Sequence, residues 1–183
     1  MMLNFKGKSP KIASDVFIAE GAKIIGEVEI GKNSSIWFNC VLRGDENFIK
    51  IGERTNIQDL TTLHIWHRLF DDKGKMIDSG FPVIIGDDVT IGHNCIIHAC
   101  QIHSCCLVGM HTCIMDNVEI GEESIVGAGS IVTKGKKFPP RSLILGNPAK
   151  FVRELKKEEI ALIIESAQNY VRFKNDFLAN SIK

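Results

Sequence analysis

The stretch IGDDVTIGHNCII, residues 85–97, decides the fold, because isoleucine recurs there at every sixth position, at Ile85, Ile91 and Ile97. Glycine often follows the aliphatic residue, as in Ile91-Gly92. A period of six fits neither an α-helix, with 3.6 residues per turn, nor an alternating β-meander. Ile, Val or Leu occupies the repeating position through most of the chain, at Ile12, Ile18, Ile24, Ile30, Ile36, Leu42, Ile51, Ile57, Leu63, Ile102, Val108, Ile114, Ile120, Val126 and Val132.

This repeat predicts an all-β solenoid, a parallel β-helix built from hexapeptides. Each hexapeptide makes one flat side, so three make a triangular coil of about eighteen residues with the aliphatic side chains inside. The repeating positions number eighteen, which predicts roughly six turns.

Two segments interrupt the repeat and a third follows it. The step from Leu42 to Ile51 is nine residues, and a polar insertion near residues 65–83 is expected to form a turn or short hairpin at one edge. Apolar residues from Leu155 to Leu178 keep helical spacing, which predicts an amphipathic helix packed on the solenoid. We therefore assign residues 1–150 to the β-helix domain and residues 151–183 to the helix.

The composition favours a protein that binds neither nucleic acid nor membrane, because 22 acidic residues balance 22 basic ones. The sequence has no long apolar run, so we expect neither a signal peptide nor a transmembrane helix, and a cytoplasmic location. Cys40, Cys95 and Cys106 each occupy the fifth position of a hexapeptide. They are expected to be small core residues rather than disulfide partners or zinc ligands.

The histidines are placed by the repeat. His64 follows the inward Leu63 and His98 follows Ile97, so both side chains should face outward, one rung of about 4.8 Å apart. Arg43 continues the column one rung below. His93 belongs to the adjacent face, with Gln58 and Asp59 beneath it.

A tetrahedral zinc ion needs imidazole nitrogens about 2.0 to 2.1 Å away. One convex prism does not aim two faces at one point, but two chains meeting at an edge bring His64 and His98 of one towards His93 of the other. Repeating this contact closes a ring, which predicts a homotrimer with interfacial metal sites. Three histidine ligands leave one position open, as in catalytic zinc sites. We expect His67, His103 and His111 to be nonligands.

Several motifs together resemble the γ-class carbonic anhydrase-like family, a branch of the hexapeptide-repeat proteins. They are Val41-Leu42-Arg43-Gly44-Asp45, Asn56-Ile57-Gln58-Asp59, Leu63-His64, Ile85-Gly86-Asp87-Asp88-Val89-Thr90-Ile91-Gly92-His93, Ile97-His98 and Gly146-Asn147-Pro148-Ala149-Lys150. The resemblance implies a left-handed β-helix trimer in which His64, His93 and His98 bind zinc, or in some members iron or cobalt.

The same resemblance assigns roles to further residues. Arg43 and Asp45 look like the pair that forms an intersubunit salt bridge, and Asp59 looks like a carboxylate at the interface or behind a metal ligand. Gln58 looks like the residue that orients metal-bound water or hydroxide, and Tyr170 looks like an active-site tyrosine. The implied activity is reversible hydration of CO₂ to bicarbonate by a metal-bound hydroxide.

The chain departs from the best-characterised γ enzymes, which carry a proton-transferring glutamate after the first ligand histidine. No glutamate occurs between Glu53 and Glu119, so Asp71, Asp72 or His67 would have to substitute. Two other functions stay open: an acyl-CoA acyltransferase that uses a histidine as general base, and a non-enzymatic assembly subunit tied together by metal. Hydrolysis of another substrate such as a thioester would use the same metal chemistry.

Overall fold

The computed structural model describes residues 1–180, which form a parallel β-solenoid followed by one α-helix, and this confirms the predicted fold class. The strands, in chain order, are β1 Met2–Leu3, β2 Lys11–Ile12, β3 Phe17–Ile18, β4 Lys23–Ile30, β5 Ser35–Ile36, β6 Val41–Ile51, β7 Asn56–Ile57, β8 Thr62–His64, β9 Leu69–Phe70, β10 Met76–Asp78, β11 Val83–Ile85, β12 Thr90–Ile91, β13 Ile96–His98, β14 Gln101–Ile102, β15 Leu107–Val108, β16 Cys113–Ile114, β17 Glu119–Ile120, β18 Ile125–Val126, β19 Ile131–Val132, β20 Lys137–Phe138, β21 Ser142–Gly146 and β22 Ala149–Glu154. The helix α1 spans Lys157–Asn180.

Equivalent repeat positions stack directly on one another. Ile57 pairs with Ile91, Ile91 with Val108, and Val108 with Val126, all in parallel register. These side chains are almost wholly buried, as are most of the other repeating positions, whereas Ile12 and Ile18 in the first turn are partly buried. Burial of this continuous apolar column is the main stabilising contribution to such a coil.

The coil is longer than the six turns predicted. Seven parallel strands stack on one face of the coil, called the third face below: β3, β5, β7, β12, β15, β18 and β21. The six-residue spacing continues past Val132 to Phe138 and Ile144, which are both buried. Because an aromatic residue at position 138 takes the place of the aliphatic one, the sequence pattern stops two hexapeptides early.

The core cysteines are confirmed as small interior residues. Cys40, Cys95 and Cys106 are each fully buried, and all six cysteines of the chain are free thiols.

The insertion carries an antiparallel hairpin formed by β9 and β10. Its base is closed by backbone hydrogen bonds between Trp66 and Phe81, and the Asn47 Nδ2 group donates to the carbonyls of Trp66 and Ser79. The hairpin is therefore joined to the coil through its base.

The C-terminal segment begins with a strand. β22 pairs antiparallel with β21 across the expected boundary at residue 150, and α1 starts only at Lys157. The helix packs against β3, β5 and β12 on the third face and buries Ile163, Ala167 and Lys174. Within residues 1–180 no helix is long and apolar enough to cross a membrane. Residues 181–183 of the predicted helical segment lie outside the described residues.

Candidate metal centre

The stacking of His64 on His98 is present as predicted. Parallel pairing of β8 with β13 sets the two residues opposite each other, and pairing of β6 with β8 sets Arg43 opposite His64. The Nδ1 atom of His64 lies 3.1 Å from Nε2 of His98, and the ring centroids are 5.1 Å apart. Two imidazole nitrogens therefore face one another without any rearrangement of the chain.

The surroundings of this pair keep the imidazoles in position. Asp116 makes a short contact to Nδ1 of His98 through Oδ1, which leaves Nε2 of the same ring facing His64. Among the described residues, the buried Nε2 of His64 has no hydrogen-bond partner, with Asp45 Oδ1 3.5 Å away. Burial lowers the pKa of His64, and the Arg43 guanidinium acts in the same direction. The neutral imidazole favoured in this way is the form that binds metals.

His93 lies at the corner that follows β12, on the side of the coil covered by α1. Its Nδ1 atom is 2.7 Å from Asp59 Oδ2, and Asp59 Oδ1 accepts a hydrogen bond of 3.2 Å from the backbone N–H of Phe38. The carboxylate thus fixes the orientation of the half-exposed ring. Histidines that bind metals usually have their other ring nitrogen held by a carboxylate or carbonyl in this way.

The three histidines do not meet within one chain. Strand β13 separates His93, at the corner before it, from His98, at its end. In residues 1–180 no set of three histidine, cysteine, aspartate or glutamate side chains is placed to hold one metal ion. A complete three-histidine site therefore requires a second copy of the chain, and the expected trimer stays a prediction.

Gln58 is buried beside His93 in a line of polar side chains. Its backbone N–H donates to the carbonyl of Ile91, and its Nε2 group donates to Asn56 Oδ1 at 3.2 Å. Asn56 Nδ2 in turn donates to Thr90 Oγ1 at 2.9 Å. The carboxamide of Gln58 is consequently fixed by the coil.

Tyr170 reaches the same side of the coil from α1. It helps to line a cavity of about 370 Å³, together with Trp37, Phe38, Asp59, His93, Phe173, Asp176 and Phe177. The tyrosine ring packs edge-on against Trp37 with centroids 5.5 Å apart. Burial raises the pKa of Tyr170, and the charge of Asp59 adds to the effect, so the phenol keeps its proton.

Arg43 and Asp45 form an ion pair within one chain, with Nη1 of Arg43 2.6 Å from Oδ2 of Asp45. Burial pushes the pKa of Asp45 upward, but the hydrogen bonds from Arg43 and the backbone N–H of Glu46, together with the charge of Arg43, keep that pKa below its usual range. The intersubunit bridge implied by the family resemblance is a separate contact and stays a prediction.

The remaining histidine rings each contact a residue other than the three predicted ligands, although the backbone N–H of His111 donates to the carbonyl of His93. His67 stacks on Trp66, and His103 contacts Glu119 Oε1 at 3.1 Å. His111 contacts Asn94 at 2.9 Å.

Sequence reasoning missed Asp116 and the aromatic wall of the cavity. Asp116 lies eighteen residues after His98, but Ile97 pairs with Ile114, so it is one position out of register. The five-residue step between Ile97 and Ile102 shortens this turn to seventeen residues, so the register places Met115 rather than Asp116 next to His98.

Comparison with known proteins shows the family of this chain. The model of the bacterial transferase hexapeptide (six repeats) matches residues 9–44 and 99–134. The chain is 46% identical over 161 residues to a probable carbonic anhydrase of Methanocaldococcus jannaschii, covering 88% of this chain and 94% of that protein. It is 44% identical over 170 residues to the mitochondrial gamma carbonic anhydrase 2 of Arabidopsis thaliana. The chain belongs to the γ-carbonic anhydrase-like family.

This γ-carbonic anhydrase-like chain covers only part of its plant relative: the match takes in 93% of this chain and 59% of the Arabidopsis protein. A solved structure of a hexapeptide transferase family protein from Anaplasma phagocytophilum superposes with a TM-score of 0.86 at 41% identity, covering 97% of this chain and 98% of that one. Names within this group of similar proteins therefore include both carbonic anhydrases and transferases.

Proposed function

We propose that this γ-carbonic anhydrase-like chain is a metal-dependent enzyme that catalyses reversible hydration of CO₂ to bicarbonate. His64 and His98 of one chain and His93 of a neighbour in a homotrimer would hold the metal. The observation that carries this proposal is the 3.1 Å separation of His64 Nδ1 from His98 Nε2. Two nitrogens bound to one zinc ion at about 2.0 to 2.1 Å, with a near-tetrahedral angle, lie about 3.3 Å apart.

The donor set suits zinc, and iron or cobalt are the other candidates, because neutral imidazoles bind all three. The carboxylates of Asp116 and Asp59, which contact the outer ring nitrogens of His98 and His93, support the fit. Such carboxylates fix the ring orientation and raise the basicity of the ligand. When bound, the metal supplies a hydroxide at neutral pH, because it lowers the pKa of its water to about 7.

Residues on the His93 side would position the reactants. Gln58 is fixed through Asn56, so its carboxamide can orient the attacking oxygen. Tyr170 keeps its proton and can donate a hydrogen bond into the cavity. The aromatic lining of that cavity suits an uncharged, apolar substrate such as CO₂.

The product proton would leave through the insertion. The Asp71 side chain already accepts hydrogen bonds from the backbone N–H groups of Lys73 and Lys75, which makes it a turn-forming residue. Asp72 and His67 are then the better candidates, and an imidazole exchanges protons readily near neutral pH.

Metal content and CO₂ hydration, measured on the same anaerobically purified samples, test the proposal. We expect about one metal ion per chain in the wild type, and loss of both metal and hydration in His93→Ala. His103→Ala is the matched control, because its ring contacts Glu119 rather than any predicted ligand or its neighbours, and it should keep both. A wild type without metal, or with metal but no hydration, would contradict the proposal.

The two alternatives predict different results. The transferase name of the Anaplasma protein favours testing acetyl-CoA, and saturable acetyl-CoA binding by the metal-free protein would support an acyltransferase. A metal-tied assembly subunit would lose its trimeric state on chelation and show no hydration at any metal content. The cytoplasmic location expected from the sequence stays a prediction, since the Arabidopsis relative is named as mitochondrial.

A further inference from the structure

The β9–β10 hairpin exposes an unusual amount of apolar surface. Leu69, Phe70, Met76 and Ile77 are 41%, 56%, 51% and 65% exposed. Within residues 1–180 the hairpin pairs with no strand of the two large sheets. An isolated two-stranded hairpin is at best marginally stable in water, and a cluster of exposed apolar side chains marks a contact surface. These side chains therefore need a covering surface.

The hairpin begins at the edge of the coil that carries the His64–His98 pair. Trp66 at its base is two residues from His64, and its carbonyl is held by Asn47 Nδ2 at 3.1 Å. The ammonium group of Lys134, which follows β19, lies 5.1 Å from the centre of the Trp66 ring. The base of the insertion is thus tied to the coil beside one half of the split metal centre.

The other half of the centre borders an apolar recess. His93 and Asp59 line the cavity of about 370 Å³ whose walls include Phe38, Tyr170 and Phe173. Phe173 is 49% exposed, so the recess opens to the surface. One half of the centre therefore lies beside an apolar projection and the other half beside an apolar recess.

We propose that the β9–β10 hairpin of one chain docks into the aromatic recess of its neighbour, with a second copy of this chain as the partner. This inference rests on the proposed function, because the contact that joins His93 to the His64–His98 pair brings these two edges together. Burial of the hairpin side chains against Phe38 and Phe173 would then stabilise the interface next to the metal. The hairpin then holds two subunits together. The recess is occupied by the hairpin of the same neighbour that shares the metal site.

Crosslinking tests this pairing directly. One chain carries Ile77→Cys and the other Phe173→Cys, both in a Cys105→Ser, Cys113→Ser background that removes the partly exposed thiols. After mixing and reassembly, a short bis-maleimide should join the two chains. The matched control replaces Phe173→Cys with Leu162→Cys, which is 61% exposed on α1 but outside the recess, and should give at least tenfold less product. Equal crosslinking in both mixtures, or none in the first, would overturn the proposal.

Sedimentation equilibrium supplies a second readout. Phe70→Asp with Ile77→Asp should weaken the apparent association constant at least tenfold, and Phe173→Asp should do the same. Leu162→Asp should leave association unchanged. A wild type that sediments as a monomer, or hairpin variants that associate as tightly as the wild type, would overturn the proposal. Circular dichroism of the variants identifies any that fail to fold, and for those the crosslinking decides.

The metal assay separates the two proposals. A crosslinked trimer that binds no metal would leave the docking intact and contradict the proposed function. A metal-loaded, CO₂-hydrating trimer without the crosslink would leave the function intact and overturn the docking.

Discussion

His98 stands between His64 and Asp116, with its Nε2 atom 3.1 Å from the first and its Nδ1 atom in short contact with the second. One side of the ring is thereby held by a carboxylate and the other is presented to a second imidazole. A metal ion that enters this site would find two ligands already arranged, so little conformational entropy is lost on binding.

Substitution Asp116→Asn should weaken metal affinity about 10- to 100-fold while leaving the fold intact, because the carboxylate orients His98 and raises its basicity. Affinity is measured by competition with a chromophoric chelator. Glu119→Gln is the matched control, since it alters a carboxylate that contacts His103 away from the centre. Equal affinities for the two variants would refute this role of Asp116.

The pH dependence of stability should report the neutral state of His64. Burial lowers its pKa below the ordinary value of 6.5, so the unfolded chain binds a proton that the folded chain resists. The stability that neutral His64 contributes is fully present above pH 6.5. It is lost as the pH falls from there to the lower pKa of His64 in the folded chain. Urea unfolding of metal-free wild type and His64→Gln at about pH 8 and about pH 5 tests this. The variant should lose less stability between the two, and an equal or greater loss would contradict the prediction.

The stacked core predicts a large difference between inward and outward aliphatic residues. Ile120→Ala should reduce the free energy of unfolding by about 2–5 kcal/mol, because the side chain is fully buried and leaves a cavity. Leu162→Ala, at a position 61% exposed, should change it by less than about 0.5 kcal/mol. Chemical denaturation measures both, and similar losses would show that the inward column is not the main core.

Thiol reactivity should separate the cysteines into two groups. Burial raises the pKa of Cys40 to about 12 and that of Cys95 to about 11, and the thiolate is the reactive form. Cys105 and Cys113 are only partly buried and should be alkylated first in the native protein. Peptide mass spectrometry after timed iodoacetamide treatment gives the order. Early modification of Cys40 or Cys95 in the folded protein would be inconsistent with their interior positions.

The sequence predicted the solenoid and the stacking of His64 on His98. This was possible because, in a strict repeat, the number of a residue determines the face and the rung on which it lies. Knowledge that Leu63 and Ile97 point inward is enough to place the next side chain on the surface. The prediction stopped short at Phe138, where an aromatic residue continues the column that aliphatic residues had marked. The repeat was recognised by Ile, Val and Leu alone, whereas the interior accepts any apolar side chain of suitable volume.

Contacts between elements could not be read from the repeat. Lys174 is 2% exposed, and its ammonium group donates to the carbonyl of Asp15 at 2.9 Å and to Asn175 Oδ1 at 2.8 Å. A hydrophobic pattern assigns a lysine to the solvent side of a helix. Its position here depends on how α1 meets the first turns of the coil, which is a property of tertiary packing.

The placement of His93 apart from the His64–His98 pair has a genetic consequence. If the centre is completed between chains, a chain carrying His93→Ala still offers an intact pair, and a chain carrying His64→Ala still offers an intact His93. Each alone is inactive, yet a mixed ring joins the two undamaged halves at one of its contacts. Two null alleles would therefore complement each other in the same cell, and a heterozygote would keep part of the activity that both homozygotes lack.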